Sequence, residues 1–221
     1  MGNAGPQYPQ GMADEPWSPL EPRAVAELFD GTAARWWISG GVALDLFAGR
    51  AIRERPNIDV STIPTDVPPL IAALPPEWSA WAVQDDTLVA LGEVPADADV
   101  QIIQVRDDRR GTWVLRLNVE DGTDAAWLYR RDPRLQLPWD RAVREVDGIS
   151  TGAPEVQLVW KALRPRPQDD ADKDAVLPLL DEQARAWWER AILSIHPHSS
   201  WSIPVRTPRF PAKASWNRPG R

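Results

Sequence analysis

The first part of the chain alternates between helical and strand spacing of its apolar residues. Residues 22–29 carry apolar side chains at helical spacing, and an Asp-Gly pair ends this predicted helix. Short apolar runs at 36–38 and 58–63 are typical of buried strands. A helix is expected between them over 42–48, where a Gly-Gly pair precedes it and Gly49 caps it.

The rest of the pattern adds strands and then helices. Residues 67–74, bounded by prolines, predict a helix, because proline is tolerated in a first turn. Four strand candidates rich in β-branched and aromatic residues follow at 78–83, 87–91, 100–105 and 112–119. Three helices with apolar faces are then expected at 155–163, 169–180 and 182–195. This order predicts an α+β fold with a mixed, mostly antiparallel sheet and a C-terminal helical lobe.

The two ends of the chain differ in composition from its middle. The first residues are rich in Gly, Pro, Asn and Gln, and such a segment buries too little apolar surface to offset the entropy of ordering it. The last residues carry prolines and basic side chains without an acidic one, which is typical of an extended tail. We therefore expect four parts, which are a disordered leader over 1–16, a core over 17–150, a helical lobe over 151–200 and a basic tail over 201–221.

Composition and charge narrow the classes of function. Of the 221 residues 43% are hydrophobic, enough to bury a sizeable core. The formal net charge of -7 argues against a general nucleic-acid binder, because phosphate binding depends on clustered Lys and Arg, so a small-molecule ligand fits better. The chain has no cysteine, which excludes disulfides and thiolate zinc sites. Without a signal-peptide pattern or a membrane-length apolar run, we expect a cytoplasmic protein with no membrane segment. His196 and His198 lie in a proline-rich stretch and are expected at the surface.

The candidate chemistry lies in residues 36–60, which read WWISGGVALDLFAGRAIRERPNIDV. Gly40 and Gly41 directly precede the predicted helix, and at a helix N-terminus residues without side chains let a phosphate approach the backbone N–H groups. A Gly-Gly pair alone is more often a tight turn between a strand and a helix. The next strand presents Asn57 and Asp59 two residues apart, hence on one face, and this pairing favours the phosphate interpretation.

This stretch resembles the signature of the aminoglycoside-2''-adenylyltransferase-like and lincosamide nucleotidyltransferase-like enzymes of the nucleotidyltransferase superfamily. Further blocks that resemble these enzymes follow in the same order at 127–133, 153–158, 176–178 and 184–187. The resemblance implies a polymerase beta-like nucleotidyltransferase fold. It also implies transfer of a nucleoside monophosphate, AMP from ATP, to a hydroxyl of a small-molecule acceptor such as an aminoglycoside.

The resemblance implies a set of site residues as well. These are Ser39, Gly40, Gly41 and Arg53 on the ATP, Asn57, Asp59 and Asp99 on Mg²⁺, and Asp59, Asp99 and Lys161 as catalytic residues. In such enzymes Mg²⁺ holds the triphosphate and a later carboxylate serves as the general base. Asp99 is the candidate base, with Glu120 as the alternative. If Gln101 holds the equivalent position, two of the three metal carboxylates are missing.

The chain departs from the family pattern at Asn57, where relatives have Asp. A neutral carbonyl oxygen attracts a hard divalent cation less than a carboxylate does. The departure continues at Arg55, which would repel a cation but could bind phosphate. Two functions therefore stay open, an adenylyltransferase of impaired activity and a catalytically inactive module that binds a nucleotide or a partner. A tRNA-modifying toxin is disfavoured by the acidic charge outside the tail. Family membership does not identify the acceptor.

Overall fold

The computed structural model describes Met12, residues 15–85 and residues 87–207. Its strands are, in chain order, β1 Trp36–Ser39, β2 Asp59–Thr62, β3 Trp78–Gln84, β4 Thr87–Ala90, β5 Ile102–Asp107, β6 Thr112–Val119, β7 Asp121–Gly122, β8 Ala126–Leu128, β9 Gln136–Pro138, β10 Val143–Val146 and β11 Ile149–Gly152. Eight of them form one sheet in the order β10-β11-β1-β2-β6-β5-β3-β4, and β7, β8 and β9 form a small second sheet. Within the large sheet only β1 with β11 and β2 with β6 are parallel. The predicted α+β class with a mostly antiparallel sheet is confirmed.

The helices follow the predicted apolar spacing closely. They are α1 Pro22–Leu28, α2 Gly40–Ala48, α3 Val67–Ala72, α4 Trp139–Ala142, α5 Pro154–Ala162, α6 Pro167–Val176, α7 Glu182–Ile195 and α8 Ser202–Arg206. Helix α2 begins at the glycine pair and ends where Gly49 adopts a left-handed conformation with φ 66° and its amide caps the last turn. None of the described helices is long and apolar enough to cross a membrane.

Two large apolar clusters and a small third one hold the elements together. One lies among the central strands, α1 and α3, and includes Val60, Ile103 and Leu117. The other joins the large sheet to the helical lobe, since Trp37 of β1 and Trp188 of α7 belong to the same buried cluster. Burial of such large side chains stabilises by about 1.5–3 kcal/mol each. The lobe therefore packs directly on the sheet that carries the site.

The segment between β6 and α5 holds elements that the apolar pattern did not predict. It contributes β7 to β11 and α4, each of two to four residues, too short to show a period. Strand β11 pairs in parallel with β1, and this brings the start of α5 beside the start of α2.

The ends of the chain are described only in part. Of the predicted leader, Met12 is buried and its carbonyl accepts a hydrogen bond from the Trp113 indole at 3.1 Å, while Glu15 pairs with Arg106 at 2.6 Å. The remainder of 1–14 and residues 208–221 of the predicted tail lie outside the described residues. The four-part division of the chain stays a prediction.

The expectation that His196 lies at the surface is wrong. Only 6% of His196 is exposed, and its Nε2 lies 3.0 Å from the Tyr129 hydroxyl. The chain turns back after α7 and buries Ser199 and Trp201, so this proline-rich stretch packs against the lobe. Burial lowers the pKa of His196, which favours the neutral imidazole.

Candidate functional site

A cavity of about 550 Å³ opens at the end of β1, between the start of α2, the adjoining faces of β2 and β6, and the side of α5. Of the predicted site residues, the cavity is lined by Ser39, Gly40, Gly41, Arg53, Asn57, Asp59 and Lys161. The turn from β1 into α2 and the start of β2 meet here because β1 and β2 are antiparallel and pair Ser39 with Asp59.

The glycine pair and Asp59 are in close contact. Gly40 has φ 62°, a left-handed conformation that favours glycine, and a Cβ placed on it would lie 2.6 Å from Asp59 Oδ2. The Gly40 amide donates to Gln157 Oε1 of α5 at 2.7 Å. Gly40 therefore allows both the sharp turn and the approach of the Asp59 carboxylate.

Asp59 has an amide and a guanidinium beside its carboxylate. Asn57 Nδ2 donates to Asp59 Oδ1 at 2.9 Å, and Arg116 Nη1 lies 3.7 Å from the same oxygen. Burial is the largest influence and raises the pKa of Asp59, although Arg116 and the neighbouring Asn118 act in the opposite direction. The partners of this carboxylate are thus nitrogen donors.

The strand beside β2 does not supply a second carboxylate next to Asp59. Strands β2 and β6 are parallel, and their register places Arg116 beside Asp59 and Asn118 beside Ser61. Among the described residues no group of three His, Cys, Asp or Glu side chains could hold a metal ion. A hard cation such as Mg²⁺ is held by carboxylates and waters. Asp59 is the one carboxylate at the glycine turn and has nitrogen donors beside it, so these residues fit a magnesium ion poorly.

The structure does not bring Asp99 to the other predicted metal ligands. Its side chain is 66% exposed, and both of its oxygens accept from Arg130 Nη1, at 2.8 and 2.9 Å. Gln101 Nε2 donates to the same carboxylate at 2.9 Å. Arg130 and Gln101 line the cavity, but Asp99 does not.

Glu120, the alternative base, lines the cavity at a different level of the sheet. It follows β6 four residues after Arg116, which is roughly 13 Å along a strand. Its Oε2 accepts from the Trp127 indole at 2.5 Å and from the Trp160 indole at 3.2 Å. Burial raises the pKa of Glu120, so the site favours its neutral form.

Lys161 and Arg53 belong to a set of paired charges that joins α2, the loop before β2, α5 and α6. We call this set the ion cluster, and it consists of Asp45, Arg53, Arg55, Lys161, Arg166, Asp169 and Asp172. Asp172 is fully buried and contacts Arg53 at 3.1 Å, Arg55 at 2.9 Å and Lys161 at 3.1 Å. Burial alone would raise the pKa of Asp172, but hydrogen bonds from Arg55 and Arg53 outweigh it and lower the pKa.

Arg55 also explains why position 41 is glycine. A Cβ on Gly41 would lie 2.5 Å from Arg55 Nη1, and Arg55 is held in place by Asp45 at 2.6 Å. The guanidinium therefore covers the second glycine of the turn. The sequence pattern marked Arg55 as a departure from the family, and the structure makes it part of the ion cluster.

A second set of polar groups in the cavity wall has buried atoms without hydrogen-bond partners among the described residues. We call this set the donor wall, and it consists of Ser39 Oγ, Arg116 Nε, Arg130 Nε and Gln157 Nε2. Neither Arg116 nor Gln157 was predicted to be a site residue, although both line the cavity. Gln157 lies within the family-like block 153–158, the one signal that pointed towards it.

The space for Gln157 depends on a glycine in β11. A Cβ on Gly152 would overlap Gln157 Nε2 and would lie 2.9 Å from Trp37 Cδ1. Gly152 itself does not line the cavity. The side chain of Gln157 therefore reaches the turn at Gly40 across a residue without a side chain.

Comparison with known proteins gives a partial family match. Residues 22–86 match the family model described as aminoglycoside-2''-adenylyltransferase. Comparison with curated proteins gives no match. Solved structures similar to this chain include ANT(2")-Ia in complex with adenylyl-2"-tobramycin, at 14% identity and TM-score 0.48, covering 76% of this chain and 93% of that chain. They also include the lincosamide antibiotic adenylyltransferase LnuA with lincomycin bound, at 14% identity and TM-score 0.46, covering 70% of this chain and 92% of that chain.

A third similar structure is an antigenic nucleotidyltransferase-like protein from Paracoccidioides brasiliensis. It is 16% identical with TM-score 0.42, and the match covers 82% of this chain and 89% of that chain. The segment matched by the family model contains the glycine pair and Asp59. The family resemblance is thus confirmed over residues 22–86.

Proposed function

We propose that this protein binds a nucleoside triphosphate on an adenylyltransferase scaffold and does not transfer the nucleotide. One observation carries the proposal. The carboxylate that faces the glycine turn, Asp59, has Asn57 and Arg116 as its neighbours instead of further carboxylates. Of the two functions that the sequence left open, we therefore favour the catalytically inactive module. Both Asn57 and Arg116 stand beside Asp59 where a further carboxylate would favour metal binding.

The charge of the cavity supports an anionic ligand. Seven basic residues line it, against the three acidic residues Asp59, Glu120 and Asp169. The whole chain has a formal net charge of -7, so the cavity is positively charged although the protein is acidic. A cavity lined by cations attracts polyphosphates, and Arg binds phosphate oxygens in a two-pronged manner.

The start of α2 offers a place for the phosphates. Helix α2 has nine residues, and the first backbone N–H groups of a helix attract anions. The donor wall lines the same cavity, and an unpaired buried donor is costly unless a ligand satisfies it. Ser39, Gly40 and Gly41 are the residues that we assign to phosphate binding.

Several features of the site disfavour transfer of the nucleotide to an acceptor. Nucleotidyl transfer is almost wholly positioning and electrostatics around metal ions, so loss of metal ligands is severe. Asp99, the predicted general base, is engaged with Arg130 outside the cavity. Asp169 and Asp172 are neutralised within the ion cluster and offer little to the ammonium groups of an aminoglycoside.

Two measurements on the full chain test the proposed function. Titration calorimetry with ATP is expected to show saturable binding to one site. Incubation with labelled ATP, Mg²⁺ and a panel of aminoglycosides and lincosamides is expected to give no adenylylated product. Accumulation of a labelled acceptor would overturn the proposal, and so would the absence of any ATP binding.

A further inference from the structure

We propose that the cavity binds the free nucleoside triphosphate, without Mg²⁺, and that Arg116 supplies the positive charge that a metal ion would bring. The inference rests on the proposed function and specifies the ionic form of the nucleoside triphosphate that binds. It is drawn from the mismatch between the residues around Asp59 and the requirements of a divalent cation.

Arg116 lies beside the Asp59 carboxylate, on the side of Oδ1. The parallel register of β2 and β6 fixes the two residues side by side, and Nη1 is 3.7 Å from Asp59 Oδ1. A magnesium ion needs near-octahedral oxygen ligands at about 2.1 Å. A guanidinium beside the one carboxylate of the turn repels such an ion.

Arg116 is also free to meet a phosphate. Its side chain is 32% exposed in the cavity, and its Nε is a buried donor with no partner among the described residues. The Trp17 ring lies 5.6 Å from its guanidinium carbon and limits its orientation. A planar fork with an open edge suits a phosphate oxygen pair.

Most other cations of the cavity are paired with carboxylates, and the exception is Arg164, an exposed residue with no ion pair in the described part of the chain. Lys161 contacts Asp169 at 2.8 Å and Arg53 contacts Asp172 at 3.1 Å. Arg130 is occupied by Asp99 and Asp121, both at 2.8 Å, although its Nε stays open. Arg116, in contrast, faces Asp59 only at 3.7 Å. Among the half-buried cations of this cavity, Arg116 lies farthest from its nearest carboxylate, and its Nε has no partner among the described residues.

Metal dependence of binding is the direct test. ATP is titrated into the full chain once with excess EDTA and once with excess Mg²⁺, at equal ionic strength. Free ATP is expected to bind more tightly than Mg-ATP, by about threefold to tenfold, because a bound metal cancels charge that Arg116 would meet. An affinity that requires Mg²⁺ overturns the inference and leaves the proposed function standing. Absence of binding in both buffers defeats the proposed function as well.

Substitution of Arg116 tests its role. Arg116→Gln is expected to weaken the binding of free ATP at least about tenfold, which corresponds to about 1.4 kcal/mol. Arg109→Gln is the matched control, since it removes the same charge from a side chain that is 77% exposed in the turn between β5 and β6. Thermal unfolding of both variants verifies that they fold. Equal affinity of Arg116→Gln and the parent protein overturns the inference.

A second variant covers the case in which Arg116→Gln does not fold. Arg116→Lys keeps the charge and removes the two-pronged geometry, so a loss of about threefold or more in affinity for free ATP is expected. Unchanged affinity in this variant, together with a preference for Mg-ATP, overturns the inference.

Discussion

The ion cluster and the donor wall line the same cavity, and both are rich in cations, yet their charges are arranged differently. In the ion cluster every carboxylate is paired with at least one basic residue, and Asp172 contacts three, Arg53, Arg55 and Lys161. In the donor wall buried donors have no partner among the described residues. Matched charges fix how α2, α5 and α6 fit together, whereas unmatched donors are available to a ligand. A basic residue in a cavity is therefore not evidence of ligand binding until its partners are known.

The largest effect is expected from breaking the ion cluster. Asp172→Ala leaves three cations without their shared buried partner, and removal of one member of a buried ion pair destabilises by about 3–5 kcal/mol. Urea unfolding followed by circular dichroism measures the loss. Asp174→Ala on the same helix is the control, because its side chain is 72% exposed and a change within about 0.5 kcal/mol is expected. A similar small change for both variants would contradict a structural role for the cluster.

Gly40→Ala should damage fold and binding together. The left-handed backbone at φ 62° disfavours alanine by about 1–2 kcal/mol, and the new Cβ would press on Asp59. Gly31→Ala is a matched control with φ 72° and no atom within 4 Å of its Cβ, so it shares the backbone strain without the clash. A larger loss of stability in Gly40→Ala than in Gly31→Ala, with loss of ATP affinity only in the former, is expected in unfolding and calorimetric experiments. Equal behaviour of the two variants would show that the approach of Asp59 to the turn is unimportant.

Asn57→Asp tests whether the missing carboxylate alone decides metal binding. The substitution is expected to raise Mg²⁺ affinity, because it adds a charged oxygen beside Asp59. The gain should be larger in Asn57→Asp/Arg116→Gln, since the nearby guanidinium at 3.7 Å from Asp59 is then gone. Calorimetric titration of Mg²⁺ measures both. Equally tight Mg²⁺ binding by the parent protein and Asn57→Asp would reject the idea.

The smallest effect is expected for Glu120, a buried acid of the same cavity, and concerns the pH dependence of stability. Burial raises its pKa, so the folded state holds a proton that the unfolded state releases. Its contribution to stability is present below the ordinary glutamate pKa and falls as the pH rises towards the raised value. Glu120→Gln should keep an acceptor for the two indoles and remove this decline. Unfolding free energies between pH 4 and 8 are therefore expected to fall less steeply in the variant than in the parent protein, and parallel profiles would contradict the assignment.

The longer helices and strands could be predicted from the sequence, whereas the short ones could not. Helix α7 was predicted with the bounds it has, because fourteen residues show a clear apolar period. Strand β11 was missed because four residues do not, although it carries the parallel pairing with β1. The burial of His196 was missed for a related reason, since a turn back onto the lobe leaves no periodic signal.

For the site, local motifs were informative and distant partners were not. The glycine pair, Ser39 and Asp59 share one short stretch, so their grouping could be predicted from spacing alone. Arg116 joins them only through the register between β2 and β6, which no local pattern reveals. Asp99 was predicted to be the base because it precedes a strand. Its side chain is instead exposed and paired with Arg130, and it does not line the cavity. The metal-ligand roles assigned to Asn57, Asp59 and Asp99 remain predictions.

The hydrogen bond from the Gly40 amide to Gln157 joins residues 117 positions apart, and it passes over Gly152. A single methyl group at position 152 would push the carboxamide away from the turn while leaving every cavity-lining residue unchanged. The sensitivity of this pocket to mutation thus extends to a strand behind it. Natural variants that lose ligand affinity without any change in the pocket would be understood by looking first at that glycine.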